Sequence, residues 1–328
     1  MRKRIVFRMI GSHDVGMGHI YRTMSVADEF KEHEVFFLSD HGSDLAISYY
    51  SGMPGWLGAF SESEIVSQIV SCKPDLVIFD VLDTDESQIA PLREKGFMVV
   101  SFEDLGSGST HTTLTINELF DVPELEGENY RWGKEFFFVR DEFLVVSPRE
   151  KPKKIENVLL TFGGVDQHNL SQKVLLQIRN FCSERGIQVH IVTGPGYREG
   201  ESLSGIVNES TGVHLTHATG VISRIMAEAD LAISSNGRTV YELAHMNVPG
   251  IVIDQHAREG THHFASPENG FINIGLYNPG ETESSALRVL SGLVTDIRKY
   301  GELYDRTKRH KFTKAKSRTI RELKSLLD

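Results

Sequence analysis

Three short stretches of the sequence carry residue types able to do chemistry. Residues 11–27 (GSHDVGMGHIYRTMSVA) set His19 directly after the glycines Gly16 and Gly18. Arg22 follows one helical turn later, and Ser12, His13 and Asp14 stand just before the glycines. Residues 161–166 (TFGGVD) place Gly163 and Gly164 ahead of a second helical pattern. Residues 234–242 (SSNGRTVYE) place Ser235, Asn236 and Gly237 at the start of a third, with Glu242 inside it. An imidazole exchanges a proton near neutral pH. Glycine turns let the backbone approach an anion, and helix N-termini favour its charge. Together these types suit a phosphorylated ligand and a proton transfer beside it.

The elements that must position these residues can be read from pattern. Residues 3–10 (KRIVFRMI) form a short β-branched and aromatic run, a first strand. After Gly18 the apolar residues Ile20, Met24, Ala27 and Phe30 recur at helical spacing, so the unit is strand, glycine turn, helix. It does not fit the dinucleotide fingerprint: Tyr21 stands where the third glycine belongs, and no acidic residue occupies a ribose-reading place. Residues 75–79 (DLVIF) are nearly all apolar, as in a central parallel strand covered on both faces. They end in Asp80. Ends of parallel strands open into the ligand crevice of such sheets, but an aspartate there is equally a turn or cap residue, the reading preferred for Asp83. Glu242 fits either a ribose diol or a solvated helix face. Ser235 and Asn236 fit either a helix cap or a phosphate or sugar contact.

Composition removes several classes of function. The 328 residues carry 45 acidic and 35 basic side chains, a formal charge of −10, and no basic run or stacking module contradicts that balance. Nucleic acid is therefore not an expected partner. Cys72 and Cys182 lie far apart without motif spacing, which fits a reducing compartment. Arg8 interrupts the apolar start and no cleavage site follows, so the protein is expected to be cytoplasmic. No apolar stretch is long enough for an integral membrane segment. His256, His262 and His263 lack the spacing of a metal site, so neither metal nor cofactor is expected.

Strand and helix patterns alternate along the whole chain, which defines an α/β protein with parallel sheets. Proline and lysine concentrate at residues 147–154 (SPREKPKK), the expected linker. The chain then divides into an N-terminal α/β domain, 1–148, and a C-terminal one, 149–328, ending in helices. Residues 49–60 (YYSGMPGWLGAF) are glycine-rich, aromatic and uncharged, and read as a loop. That loop is either folded over the core or a surface for an apolar acceptor or peripheral membrane contact. The basic final helices read as solvated faces.

The stretches VGMGHIYR, DLVIFD, VVSFED, VRDEF, LLTFGGVDQHNLSQKV and ADLAISSNGRTVYELAHMNVPGIVI, in this order, resemble the UDP-sugar hydrolase family of pseudaminic acid biosynthesis. More distantly they are similar to the glycosyltransferases that add N-acetylglucosamine to lipid-linked peptidoglycan precursors. The resemblance implies the GT-B architecture, two Rossmann-like domains facing across a cleft, with uridine diphosphate held mainly by the C-terminal half. It implies that His19 acts on water at the anomeric carbon. It implies that Ser235, Asn236 and Glu242 hold the diphosphate and ribose, and that Gly163 and Gly164 let the backbone near the diphosphate; the first glycine turn, by its own residues, adds Gly16, Gly18 and Arg22 as expected substrate contacts. The sequence departs from the hydrolase pattern at Val81-Leu82 and at residues 261–270 (THHFASPENG), so the resemblance does not extend to the sugar.

The function expected from the sequence is hydrolysis of a UDP-sugar for nonulosonic acid or polysaccharide biosynthesis, with His19 as base and Asp80 orienting it or touching the sugar. A glycosyltransferase using the same parts on a hydroxyl acceptor is the alternative. A non-catalytic nucleotide-sugar binder is the third.

Overall fold

The computed structural model describes residues 2–328 and divides into two units, 1–138 with 314–328, and 139–313. In the first unit seven strands form one parallel sheet: β1 (Arg4–Met9), β2 (Glu34–Asp40), β3 (Trp56–Phe60), β4 (Leu76–Asp80), β5 (Met98–Phe102), β6 (Leu114–Asn117) and β7 (Tyr130–Trp132). Their order is β3-β2-β1-β4-β5-β6-β7. Helices α1 (Gly18–Ala27), α2 (Asp44–Tyr50), α3 (Glu62–Ser71) and α4 (Glu86–Glu94) make the crossovers. The central strand β4 is buried along its whole length. Ile78 packs with Ile5, Phe7 and Ile20 on one face, Val77 and Phe79 with Val6, Ile65 and Ile89 on the other. Strand order reverses between β1 and β4, and a sheet of this kind opens its ligand crevice at the carboxyl ends of the strands there.

The second unit repeats the plan. Its strands are β8 (Asn157–Thr161), β9 (Gln188–Thr193), β10 (Val213–His217), β11 (Leu231–Ser235), β12 (Gly250–Asp254) and β13 (Phe271–Leu276), all parallel, in the order β10-β9-β8-β11-β12-β13. Helices α5 (Leu170–Glu184), α6 (Gly200–Asn208), α7 (Ile222–Glu228), α8 (Arg238–His245), α9 (Glu281–Thr295) and α10 (Ile297–Thr307) surround it. Its order reverses between β8 and β11.

The expected boundary at 148/149 is corrected. The chain changes unit after Phe138, because residue 149 is already fastened into the second unit. The Arg149 amide donates to the Met246 carbonyl at 2.9 Å, its guanidinium holds Asp230 at 2.7 Å, and its carbonyl accepts from the Tyr304 hydroxyl. The proline- and lysine-rich stretch read as the linker therefore lies within the second unit. The C-terminal helix α11 (Ala315–Ser325) returns to the first unit, where Thr319, Ile320 and Leu323 are buried and the Thr319 hydroxyl donates to the Phe136 carbonyl. Its basic face is solvated and paired, as Arg131–Glu322 and Arg318–Glu135 show.

Residues 49–60 are likewise not a loop. Tyr50 ends α2 and is fully buried, its ring 4.9 Å from Phe37 and 6.4 Å from Trp56, and 56–60 is the edge strand β3. Gly55, at φ +84°, lets the turn pass directly over the Val35 carbonyl, where a Cβ would clash. Tyr50, Trp56 and Phe60 pack on the core, and Tyr49 and Leu57 are the exposed large apolar side chains of this stretch.

Candidate functional site

Met9 and Asp80 are register partners on β1 and β4, so the turn after β1 and the carboxylate ending β4 fall at the same point of the sheet. The turn is closed by Gly16 N–H donating to the Ser12 carbonyl, with Gly16 at φ +89° and the Ser12 hydroxyl accepting from the Asp14 and Val15 amides. Ser12 therefore shapes the turn. Met17 caps α1 without a side-chain hydrogen bond, and no acidic residue lies in the first turn of that helix. His19 sits on this turn and Arg22 one turn further.

The Asp80 carboxylate is buried and gathers both. His19 Nδ1 lies 2.7 Å from Asp80 Oδ1, Arg22 Nη2 donates to Oδ1 at 2.5 Å and Arg22 Nε to Oδ2 at 3.0 Å, and the Thr23 hydroxyl donates to Oδ2 at 3.2 Å. Burial pushes the Asp80 carboxyl up, but the Arg22 charge and the His19 and Arg22 hydrogen bonds outweigh it and hold the group at about 2. An ionised carboxylate only accepts, so Nδ1 of His19 carries a proton, and in the neutral ring Nε2 then carries the lone pair. The 3.3 Å approach of Arg22 Nη2 to Nδ1 then brings two donors together and is no hydrogen bond. Nε2 has no hydrogen-bond partner among the described residues, and the side chain is about one-tenth exposed. This is the arrangement of a general base whose tautomer is fixed by a carboxylate behind it.

Arg22 is placed differently from a substrate-binding residue. Its side chain is 1% exposed and its charge is met inside the unit: Asp80 on one side, Glu118 at 3.0 Å and Glu103 at 3.4 Å on the other, with the Phe102 ring 4.9 Å beneath. Burial lowers the basicity of the guanidinium, but the Asp80 and Glu103 carboxylates raise it further, so it stays charged. In this geometry the guanidinium holds Asp80 from inside the unit. Glu103 and Glu118 were not legible as partners of Arg22. Glu103 does follow a buried strand, and it holds φ +54°, a strained conformation of the kind that gathers at functional positions.

In the second unit the glycine turn and the SSNG turn end register partners, since Thr161 pairs with Ser234. Gly163 needs its φ of +78°, and a Cβ there would lie 3.9 Å from the Ser235 hydroxyl, so Gly163 and Ser235 border one spot. Gly194 packs on Gly164, since a Cβ on Gly194 would come within 2.4 Å of the Gly164 Cα, and the Gly164 carbonyl accepts from the Gly196 amide. The start of α5 is already served by Asp166, whose carboxylate accepts from the Leu170 and Ser171 amides at 2.7 and 2.8 Å. Those amides are thus not offered to a phosphate. The Asn236 side-chain NH₂ is also committed, its two hydrogens shared among Asp254 Oδ1, the Glu259 carbonyl and the His262 carbonyl, all within 3.0 Å. It holds the 254–262 segment against the start of α8. His262 Nδ1 in turn lies 2.9 Å from the Asn236 carbonyl. Glu259 is buried beside Gly237, and burial pushes its carboxyl up to about 7 against the Gln255 amide that donates to it at 2.6 Å. Among the described residues no three His, Cys, Asp or Glu side chains converge as a metal-binding set.

Glu242 is not a solvated helix residue. Its side chain is 9% exposed, and its two oxygens receive Arg140 Nε at 3.0 Å and Nη2 at 3.3 Å. Pattern reading missed Arg140 as a partner because 102 residues separate the two.

Comparison with known proteins agrees with this plan. Residues 157–264 match the model of the glycosyltransferase family 28 C-terminal domain. The second unit is glycosyltransferase-like. An uncharacterised protein of Methanocaldococcus jannaschii is 27% identical over 264 residues, 75% of this chain and 54% of its own length. The spore coat polysaccharide biosynthesis protein SpsG of Bacillus subtilis is 23% identical over 75% of each chain. The UDP-2,4-diacetamido-2,4,6-trideoxy-beta-L-altropyranose hydrolase of Campylobacter jejuni is 24% identical over 53% of this chain and 65% of its own. The chain thus spans about half to two-thirds of the length of the first and third of these. Among solved structures, MurG of Acinetobacter baumannii superposes with a TM-score of 0.67 at 13% identity, covering 98% of this chain and 99% of MurG. Anabaena HepE in complex with UDP-glucose gives 0.59 at 11% identity, covering 99% and all of it. These likenesses establish the fold expected from the sequence, two parallel-sheet α/β units with GT-B neighbours. No helix among the described residues is long and apolar enough to cross a membrane.

Proposed function

We propose that this protein hydrolyses a UDP-sugar, with His19 as the base. The observation that carries the reading is the His19–Asp80 pair, which fixes the proton on Nδ1 and leaves Nε2 as the acceptor. Water attacks the anomeric carbon, its oxygen bonds to C1, and one of its protons passes to Nε2. The bond from C1 to the β-phosphate oxygen breaks, and its electron pair leaves with UDP. Asp80 stabilises the imidazolium that forms, and Arg22 holds Asp80 in place. The second unit holds the nucleotide: the Gly163 and Ser235 turns and the backbone at the start of α8 meet the diphosphate, and Glu242 accepts from the ribose hydroxyls. Gly16 and Gly18 border the sugar and the attacking water. The named hydrolase among the relatives and the UDP-glucose bound by HepE support this substrate class.

The match of residues 157–264 to a glycosyltransferase domain favours a second reading, in which a hydroxyl acceptor replaces water. Incubation with a panel of UDP-sugars and no acceptor separates the two. Hydrolysis releases free sugar and UDP in equal amounts, and His19→Ala slows it by roughly 10²–10⁴ while leaving UDP binding in place. Turnover that appears only with an added acceptor supports the transferase. UDP-sugar binding without turnover under either condition, and no effect of His19→Ala on it, supports the non-catalytic binder.

A further inference from the structure

We infer that Arg140 is a positioning residue for the ribose of the bound nucleotide, acting through Glu242; this rests on the ribose reading of Glu242 given above. Arg140 belongs to the VRDEF stretch, which carries part of the family resemblance but no role in the proposed reaction. Its guanidinium is fixed on three sides. Nε and Nη2 engage the two oxygens of Glu242, Nη1 lies 3.0 Å from Glu142 Oε1, and the Phe143 ring centre is 5.3 Å from its carbon. Glu142 is anchored in turn, since its Oε2 accepts from the Ser223 amide at 3.2 Å and the Ser223 hydroxyl at 2.9 Å. The chain is therefore Ser223, Glu142, Arg140, Glu242, each member held by the next.

A fork that grips both oxygens sets the plane of a carboxylate, which a single bond does not. A carboxylate offers about four lone-pair positions, and the fork uses two. One on each oxygen remains, suited to the two hydroxyls of a vicinal diol. A ligand with both hydroxyls satisfies the site, and one lacking the 2′-hydroxyl leaves a buried acceptor unmet. Arg140 thereby sets the preference for ribonucleotides over 2′-deoxyribonucleotides.

Titration calorimetry with UDP and 2′-deoxy-UDP on the full chain tests this. The native protein should prefer UDP. Arg140→Gln should weaken UDP binding on the order of tenfold while 2′-deoxy-UDP binding changes little, so that the preference collapses. Arg140→Lys, which keeps the charge but not the fork, should restore only part of it, and kcat at saturating substrate should hardly move while KM rises. A merely structural arginine would weaken both nucleotides equally. If both Arg140 variants keep the native preference while Glu242→Ala loses it, the inference is wrong and the ribose reading stands. If Glu242→Ala keeps the preference, the ribose reading falls and this inference with it. Should Arg140→Gln fail to fold by circular dichroism, Arg140→Lys and Glu142→Gln carry the same comparison.

Discussion

Asp80 Oδ1 and His19 Nδ1 stand 2.7 Å apart, although 61 residues separate them in the chain. The contact joins the end of β4 to the first turn of α1 at the point where strand order reverses. Asp80→Asn tests what it does. An asparagine presents its NH₂ or its oxygen to Nδ1, so the tautomer is no longer fixed and the imidazolium loses its counter-charge. The turnover of UDP-sugar should fall by roughly 10²–10⁴ with UDP affinity within a few-fold of native. Steady-state kinetics with parallel UDP titrations measure both. Turnover above a tenth of native would remove Asp80 from the mechanism.

Arg22 is the cation among Asp80, Glu103 and Glu118. Arg22→Leu leaves those buried carboxylates without it. Removing one partner from such a set costs about 3–5 kcal/mol, because the others stay out of water. Urea unfolding followed by circular dichroism should show a loss of that size. A loss below ~1 kcal/mol would mean the charge is dispensable.

Glu259 gives a stability that depends on pH with a definite sign. Its carboxyl is at about 7 folded and near 4.5 in the open chain, so between those values the folded state binds more protons. Stability contributed by this group is therefore lost as pH rises from 4.5 to 7, by roughly 3 kcal/mol at most. Glu259→Gln is neutral and keeps an oxygen for the Gln255 amide. Thermal melts should show the variant gaining on the native protein between pH 5 and pH 8. Equal differences at the two pH values would contradict the burial cost.

The C-terminal helix makes a claim about the first unit alone. Leu323 is fully buried against a core that includes Phe30, Phe136 and Phe138. Leu323→Ala should destabilise that unit by about 2–5 kcal/mol. Hydrogen exchange should report faster opening of β1 and α1, with exchange in β8 and β11 unchanged. Uniform loss across both sheets would show that α11 is not specific to the first.

Most of the strands and helices that position the candidate residues were legible because their patterns are local. The all-apolar run ending in Asp80, the glycine turn before His19 and the SSNG turn before α8 each state their element within ten residues. The partners of those residues were not legible. Arg22 reads in sequence as a substrate-binding arginine, since nothing nearby reveals that Glu103 and Glu118 meet it from just beyond β5 and β6. Glu242 fits in sequence either a ribose or a solvated face, because its partner Arg140 lies 102 residues away. Residues 49–60 lacked any period because Tyr50 and Trp56 bury themselves from the end of a short helix and the start of an edge strand. Gly164 and Asn236 read as ligand contacts, and nothing local reveals that Gly194 packs on the one and that Asp254 accepts from the amide of the other.

The central claim is that His19 drives water onto the sugar carbon. Turnover in ¹⁸O-labelled water, with mass analysis of both products, addresses it most directly. The account predicts one label at C1 of the released sugar, none in UDP, and loss of labelled sugar in His19→Ala with UDP still bound. Label in the phosphate of UDP, or undiminished labelling of the sugar by His19→Ala, would contradict it.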